Sequence, residues 1–276
     1  MKLKDLLKEK LTPEEMNHLI TTFEIVGDIA VIEVPPELEH RKHVIGNALM
    51  EVHKSVKTVL RELSERKGPF RVKDYEIIAG EPKTETIHRE YGCRYALDLK
   101  EVYFSPREAT ERGRILKQVK DGENVMVFFA GVGPYAIILA KHRDVKVTAI
   151  ELNPKAVKYM RKNVRMNKVS DRVDVVEGDV RSVAVNYYGQ YDRVLMPLPK
   201  GAHEYIGDAI RCLKRRGVIH FYHWAPESDL FSEAEDILRR AAEKYGRRMR
   251  IMDERKVLPY APGVYKICVD AEFWMD

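Results

Sequence analysis

Residues 125–134 read Val125–Met126–Val127–Phe128–Phe129–Ala130–Gly131–Val132–Gly133–Pro134. An apolar, β-rich run ends in two glycines and a proline. A strand buried on both faces hands over to a helix in this way: glycine permits the tight turn, and proline suits the first helical position. The same alternation continues downstream. Helical patterns cover residues 110–119, 135–141, 154–167, 202–213 and 231–244, the third with an apolar stripe of Ala156, Val157, Met160 and Val164. Strand patterns cover residues 145–150, 173–177, 191–196 and 217–222, with final strands at 250–257 and 264–270. Repeated βα units predict an α/β fold with a doubly wound, mostly parallel sheet, and a ligand beyond the carboxyl ends of its strands.

Three strand ends carry candidate chemistry. Gly131 and Gly133 let backbone approach a ligand, although such a pair also serves as a plain strand–helix connection. Glu151 ends the second strand, where a carboxylate can accept both hydroxyls of a ribose; a charge opening the helix at Pro154 is the simpler alternative. Asp179 follows the third strand and is placed to accept from an adenine amino group, with Leu152 and Val180 sandwiching the ring; a turn residue is the alternative. Ala136 interrupts any GxGxxG pattern, and no phosphate-loop GK[ST] occurs.

The first third of the chain has a different texture. Pro13 to Thr22 reads as a helix capped by Thr12, residues 23–34 as a hairpin turning near Gly27–Asp28, and residues 40–66 as one long helix carrying Val44, Leu49, Val52, Val56 and Leu60. Strands follow at 75–80, 85–91 and 93–99. The expected division is a smaller α+β domain, residues 1–100, before a Rossmann-like domain, residues 101–276.

Composition narrows the class. The 276 residues are 45% hydrophobic and 33% charged, with a net charge of +5. That is globular, and it permits nucleic-acid binding without demanding it. No apolar run reaches the roughly 18 residues of a membrane span. Residues 1–10 alternate charged and apolar and lack a secretory core. Cys93, Cys212 and Cys268 are far apart, with no metal-ligand spacing, and read as free thiols of a cytoplasmic protein without a metal. A monomer is the simplest expectation. Basic residues Arg161, Lys162 and Arg165 form a stripe whose plainer reading is a solvated helix face. Lys214–Arg215–Arg216 and Arg247–Arg248 share that ambiguity.

Three segments in order, Ser105–Pro106–Arg107–Glu108–Ala109–Thr110–Glu111–Arg112, Phe129–Ala130–Gly131–Val132–Gly133–Pro134 and Met196–Pro197–Leu198–Pro199–Lys200, closely resemble the archaeal-type tRNA guanine-N1-methyltransferases and their paralogue, the wybutosine-synthesising aminocarboxypropyltransferases. The resemblance runs from about Phe23 to the C-terminus. It implies a class I S-adenosylmethionine-binding domain, S-adenosylmethionine as co-substrate, and the anticodon stem-loop of tRNA(Phe) as partner. It places Ser105, Arg112, Phe129, Gly131, Gly133, Glu151, Leu152, Asp179, Val180 and Pro197 around the cofactor. Arg107 and Glu111 become candidate catalytic residues, with Glu111 as proton acceptor; an i,i+4 ion pair between them is the bland alternative. Arg71, Lys73, His88 and Lys200 become candidate RNA contacts.

Departures from the methyltransferase pattern set the expected branch. Val127 stands where an acidic residue is usual, Pro197 where asparagine is usual, and the chain lacks room for an elbow-reading N-terminal domain. These features lead to the expectation of an alkyl rather than a methyl transferase, moving the 3-amino-3-carboxypropyl group to C7 of 4-demethylwyosine and releasing 5′-methylthioadenosine. The alternatives are the guanine-N1-methyltransferase at the same nucleotide and a non-catalytic RNA-binding module.

Overall fold

The structure, a computed structural model, describes residues 2–276 apart from 65–67, 69, 71 and 199. The chain divides into two compact units, Met1–Pro106 and Arg107–Asp276.

In chain order the first unit contains α1 (Leu3–Leu7), α2 (Pro13–Asn17), β1 (Phe23–Val26), β2 (Ile29–Ile32), α3 (Lys42–Val52), β3 (Thr58–Glu62), β4 (Tyr75–Gly80), β5 (Glu85–Glu90) and β6 (Cys93–Asp98). Thr12 caps α2 as expected: its side chain accepts from the Glu15 amide while the Glu15 carboxylate accepts from the Thr12 amide. Strands β1 to β4 form one sheet in that order, and β5 pairs with β6 in a separate hairpin. The single helix expected over 40–66 is corrected. Residues 36–41 are a 3₁₀ segment, α3 stops at Val52, and Thr58 to Glu62 form β3, parallel to β2. Val56 lies in the loop before β3 and Leu60 within it, so the helical spacing merely ran on across a break in the helix. The described part of Arg61–Arg66 ends outside any helix, and Arg66 lies outside the described residues. Helix α3 packs against the sheet through Ile45 and Leu49. Gly46 permits the approach, since a Cβ there would sit 3.0 Å from that of Ala79.

The second unit contains α4 (Ala109–Gln118), β7 (Asn124–Val127), α5 (Pro134–His142), β8 (Lys146–Glu151), α6 (Pro154–Met166), β9 (Val173–Glu177), α7 (Val180–Val183), β10 (Tyr191–Met196), α8 (Ile206–Cys212), β11 (Leu213–Pro226), α9 (Ser232–Lys244), β12 (Arg248–Ala261) and β13 (Val264–Trp274). The seven strands lie in the order β12-β13-β11-β10-β7-β8-β9. Five run parallel, while β13 and β12 are antiparallel additions at one edge. The doubly wound α/β expectation therefore holds, with a mixed sheet. Helix α5 is buried from Tyr135 to Ala140, as a helix sandwiched inside the unit must be. The sequential strands β7, β8 and β9 build outward from one side of β7, and β10 and β11 from the other. The topological switch point lies between β7 and β10, where such sheets open a crevice. Among the described residues no helix is long and apolar enough to cross a membrane.

Candidate nucleoside-binding and transfer site

The loop after β7 is shaped by three left-handed residues: Phe129, Gly131 and Gly133, at φ 54°, 57° and 90°. Phe129 is the costly one, because a non-glycine residue rarely adopts this conformation. Its ring sits edge-on to Tyr205 at 5.0 Å. Gly133 caps α5, and a Cβ there would meet Met160 Cγ at 2.8 Å. Its missing side chain thus serves close packing of α5 on α6. The Asn163 side chain on α6 donates to the Val132 carbonyl at 3.0 Å and pins the loop from below.

Glu151, at the end of β8, reaches this loop. One carboxylate oxygen accepts from the Gly131 amide at 2.7 Å and the other from the Asn153 amide at 2.8 Å. Burial pushes its pKa above the ordinary glutamate range, against the pull of these amides. Each oxygen keeps a lone pair for a hydroxyl donor. Asp179 caps α7, accepting from the Arg181 amide at 2.8 Å, and is half-buried just after β9. Leu152 is 47% exposed although it follows a buried strand, whereas Val180 is buried.

Across the switch point, the start of α4 and the loop after β10 meet through side chains that the motifs do not include. Lys266 on β13, only 4% exposed, pairs with Glu108 at 3.0 Å and donates to the Pro197 carbonyl at 3.1 Å. Its ammonium lies 4.8 Å from the Tyr222 ring centre. Pro197 has no side-chain donor, so its backbone oxygen does the joining. The Tyr222 hydroxyl donates to Glu111 at 2.6 Å, and Tyr135 therefore donates to Tyr222 at 3.2 Å. Burial raises both phenols well above the usual tyrosine range.

Glu111 is not paired with Arg107. It is buried, and Arg114 grips both of its oxygens at 2.8 Å. Arg107 is exposed in the 3₁₀ turn before α4, which breaks the helical spacing that would have set the two on one face. Arg114 also donates to Asp270, which receives His220 at 2.6 Å and Gln118 at 2.8 Å. His220 in turn accepts from Arg193 at 2.7 Å. A guanidinium can only donate, so His220 carries its proton on Nδ1. Burial acts to raise the Asp270 pKa, but His220 and Arg114 outweigh it and hold the carboxyl well below the usual range.

His220, Cys268 and Asp270 are the one group of potential metal ligands found among the described residues, with donor atoms within 4.8 Å. Their contacts do not fit a cation. Two guanidiniums already touch the cluster, and burial together with the Asp270 charge drives the Cys268 thiol pKa well above normal, away from the thiolate a metal needs.

Other expected site residues fall as follows. Arg112 is 2% exposed, inside the protein instead of on a surface helix face, and Ser105 is buried near the end of the first unit. The His88 ring accepts from the Gly27 amide at 3.2 Å and packs on Phe104 at 5.0 Å, tying the β5–β6 hairpin to the β1–β2 turn. Lys73 pairs with Glu62. Lys200 is exposed. Arg71 lies outside the described residues.

A mixed sheet carrying a glycine loop and two carboxylates at the ends of β7, β8 and β9, preceded in the chain by a small α+β unit, defines a Rossmann-like S-adenosylmethionine-binding protein. The chain belongs to the TRM5/TYW2 family: residues 86–252 match the TRM5/TYW2 methyltransferase domain, and residues 3–84 match the TYW2 N-terminal domain. It is 44% identical over 259 residues to the tRNA (guanine(37)-N(1))-methyltransferase Trm5b of Pyrococcus abyssi, covering 94% of this chain and 77% of the relative. The crystal structure of that protein superposes with a TM-score of 0.88 at 42% identity, covering 96% of this chain and 79% of the other. The tRNA(Phe) (4-demethylwyosine(37)-C(7)) aminocarboxypropyltransferase of Pyrococcus horikoshii is 34% identical over 269 residues, covering 98% and 95% of the two chains. The complex of aTrm5 with tRNALeu gives a TM-score of 0.86 at 34% identity, covering all of this chain and 78% of the other.

These similarities correct the expected enzyme class. An alkyl rather than methyl transferase does not stand against 44% identity to a methyltransferase. Val127 does not set the branch. It is 1% exposed in the middle strand, in register with Ala149 and Leu195, where an apolar side chain simply packs.

Proposed function

We propose that this protein transfers the methyl group of S-adenosylmethionine to N1 of the guanine just 3′ of a tRNA anticodon. The 44% identity to a protein named for that reaction carries the proposal. The likeness to a Trm5 bound to tRNALeu supports tRNA as the partner. S-adenosylmethionine supplies an electrophilic methyl carbon on a sulfonium. Glu151 accepts the ribose hydroxyls on its two free lone pairs, Asp179 accepts the adenine amino group, and Leu152 and Val180 flank the ring. The guanine N1 must lose a proton to become nucleophilic. Glu111 takes that proton, with Arg114 and Tyr222 holding its carboxylate still. Lys200, exposed beside the loop after β10, contacts a phosphate. Residues 1–100 contribute further RNA contacts, and residues 101–276 perform the transfer.

Two preparations of S-adenosylmethionine test this, one labelled in the methyl group and one in the carboxyl carbon. Each is incubated with the protein and either an unmodified tRNA bearing guanine at that position or a tRNA bearing 4-demethylwyosine. Methyl label entering the unmodified tRNA is the expected result. Carboxyl label entering the tricyclic tRNA, with methylthioadenosine released, overturns the proposal. Transfer of neither label to either tRNA points instead to a non-catalytic RNA-binding module.

A further inference from the structure

Helix α6 differs from the other long helix of the same unit. Its 13 residues include Lys155, Lys158, Arg161, Lys162 and Arg165 and no acidic residue. Helix α9, also 13 residues, mixes Glu233, Glu235, Asp236 and Glu243 with Arg239, Arg240 and Lys244. There the charges neutralise one another, with Glu235–Arg239 at 2.7 Å and Asp236–Arg240 at 3.9 Å. That is the pattern of a solvated face.

The five cations of α6 are all exposed. At 3.6 residues per turn they fall within an arc of roughly 120°. Lys158 faces Lys162, and Arg161 faces Arg165, one turn apart, so like charges repel along the helix. Among the described residues no acidic group is recorded against Lys158, Arg161 or Arg165. A solvated face has no need of that arrangement, and a polyanion laid along it relieves the repulsion.

The opposite face of the same helix holds the candidate site. Met160 packs under Gly133, and Asn163 bonds the Val132 carbonyl. Lys155 lies four residues beyond Glu151 in the chain. The basic stripe therefore starts beside the nucleoside cradle and is rigidly coupled to it.

We propose that the outer face of α6 binds the phosphodiester backbone of the tRNA whose base enters the site. Over the roughly 15 Å from Lys155 to Arg165 the stripe spans a few phosphates. Such contacts position the nucleic acid and carry no sequence information. The inference rests on the tRNA reading above.

The test compares two matched triple variants of the full chain. One is Lys158→Gln, Arg161→Gln and Arg165→Gln on α6; the other is Arg239→Gln, Arg240→Gln and Lys244→Gln on α9. Binding of a labelled tRNA is measured across a series of salt concentrations, alongside melting temperature and S-adenosylmethionine affinity. The α6 variant is expected to bind tRNA about tenfold more weakly or worse, and to lose about two units from the slope of log affinity against log salt. Its melting temperature and cofactor affinity stay at wild-type values, and the α9 variant binds tRNA as wild type does. Equal tRNA binding by wild type and the α6 variant overturns the inference, as does equal weakening by both variants. A wild-type protein that binds cofactor but no tRNA overturns the underlying tRNA reading as well.

Discussion

Removing the Lys266 ammonium strands the Glu108 carboxylate in surroundings nearly sealed from water, since the two side chains are 4% and 6% exposed. An uncompensated buried charge costs about 3–5 kcal/mol. Lys266→Met is therefore expected to lose that much in urea unfolding, and Lys266→Arg to recover part of it, because a guanidinium keeps the charge but not the shape of the ammonium. A loss below about 1 kcal/mol in the methionine variant would show that Glu108 finds another partner. Nothing in the sequence singled out Lys266. In Val264–Tyr265–Lys266–Ile267–Cys268–Val269–Asp270, polar residues alternate with apolar ones, as on any strand with one wet face. Here both faces are buried, and residues 266, 268 and 270 turn toward α4, which is remote in sequence. Gly131, Glu151 and Asp179 were legible for the opposite reason. Their positions at strand ends follow from the strand–helix alternation: Gly131 lies in the left-handed loop after β7, Glu151 closes β8 and Asp179 caps α7 just after β9.

At the scale of elements, α4 is fastened to the sheet by charge as much as by apolar contact. Arg114 and Gln118 on the helix meet Asp270 on β13, and His220 on β11 completes the carboxylate's ring of donors. Because the folded Asp270 pKa lies well below its unfolded value, the unfolded chain takes up a proton at acid pH that the native protein refuses. The associated stability is fully present above the unfolded value of about 3.9 and drains away as pH falls below it. Asp270→Asn is expected to be destabilised by about 3–5 kcal/mol at neutral pH, since it takes from the part-buried Arg114 one of its three carboxylate partners. Its urea midpoint should also decline less steeply than wild type between pH 4 and pH 2. Parallel declines would mean that other carboxylates dominate the acid limb. This fastening was invisible in the sequence, where spacing offered an ion pair with Arg107 as the bland alternative for Glu111. The 3₁₀ turn of Pro106–Glu108 shifts the phase, and Arg114 takes the carboxylate instead. The overlong helix at 40–66 failed similarly: periodicity crossed the break after Val52 unchanged, and strand pairing of Thr58–Glu62 with β2 decided the matter.

For the whole molecule, the alternation of strands and helices exposed the fold, while the branch of the family stayed out of reach. Fold follows from a pattern repeated over more than a hundred residues. The transferred group depends on how a few side chains orient a flexible methionine arm, and Val127, packed between Ala149 and Leu195 in the sheet, does not report on that. The cofactor reading is open to a test that does not depend on the branch. The residues assigned to the nucleoside, Gly131, Glu151, Leu152, Asp179 and Val180, all lie in the unit Arg107–Asp276. A ligand that binds only the native state at 100 times its dissociation constant adds about 2.7 kcal/mol. For a unit of about 170 residues, that corresponds to a rise in melting temperature of about 5–10 °C. S-adenosylmethionine, S-adenosylhomocysteine and methylthioadenosine share the adenosine that the proposed cradle would hold, so all three should stabilise the protein, and Glu151→Ala should abolish the shift with each. In hydrogen exchange the added protection should concentrate at residues 128–134, 151–153 and 178–180. Stabilisation that survives Glu151→Ala would place the nucleoside elsewhere, and no shift with any of the three would remove the cofactor reading along with the transfer chemistry built on it.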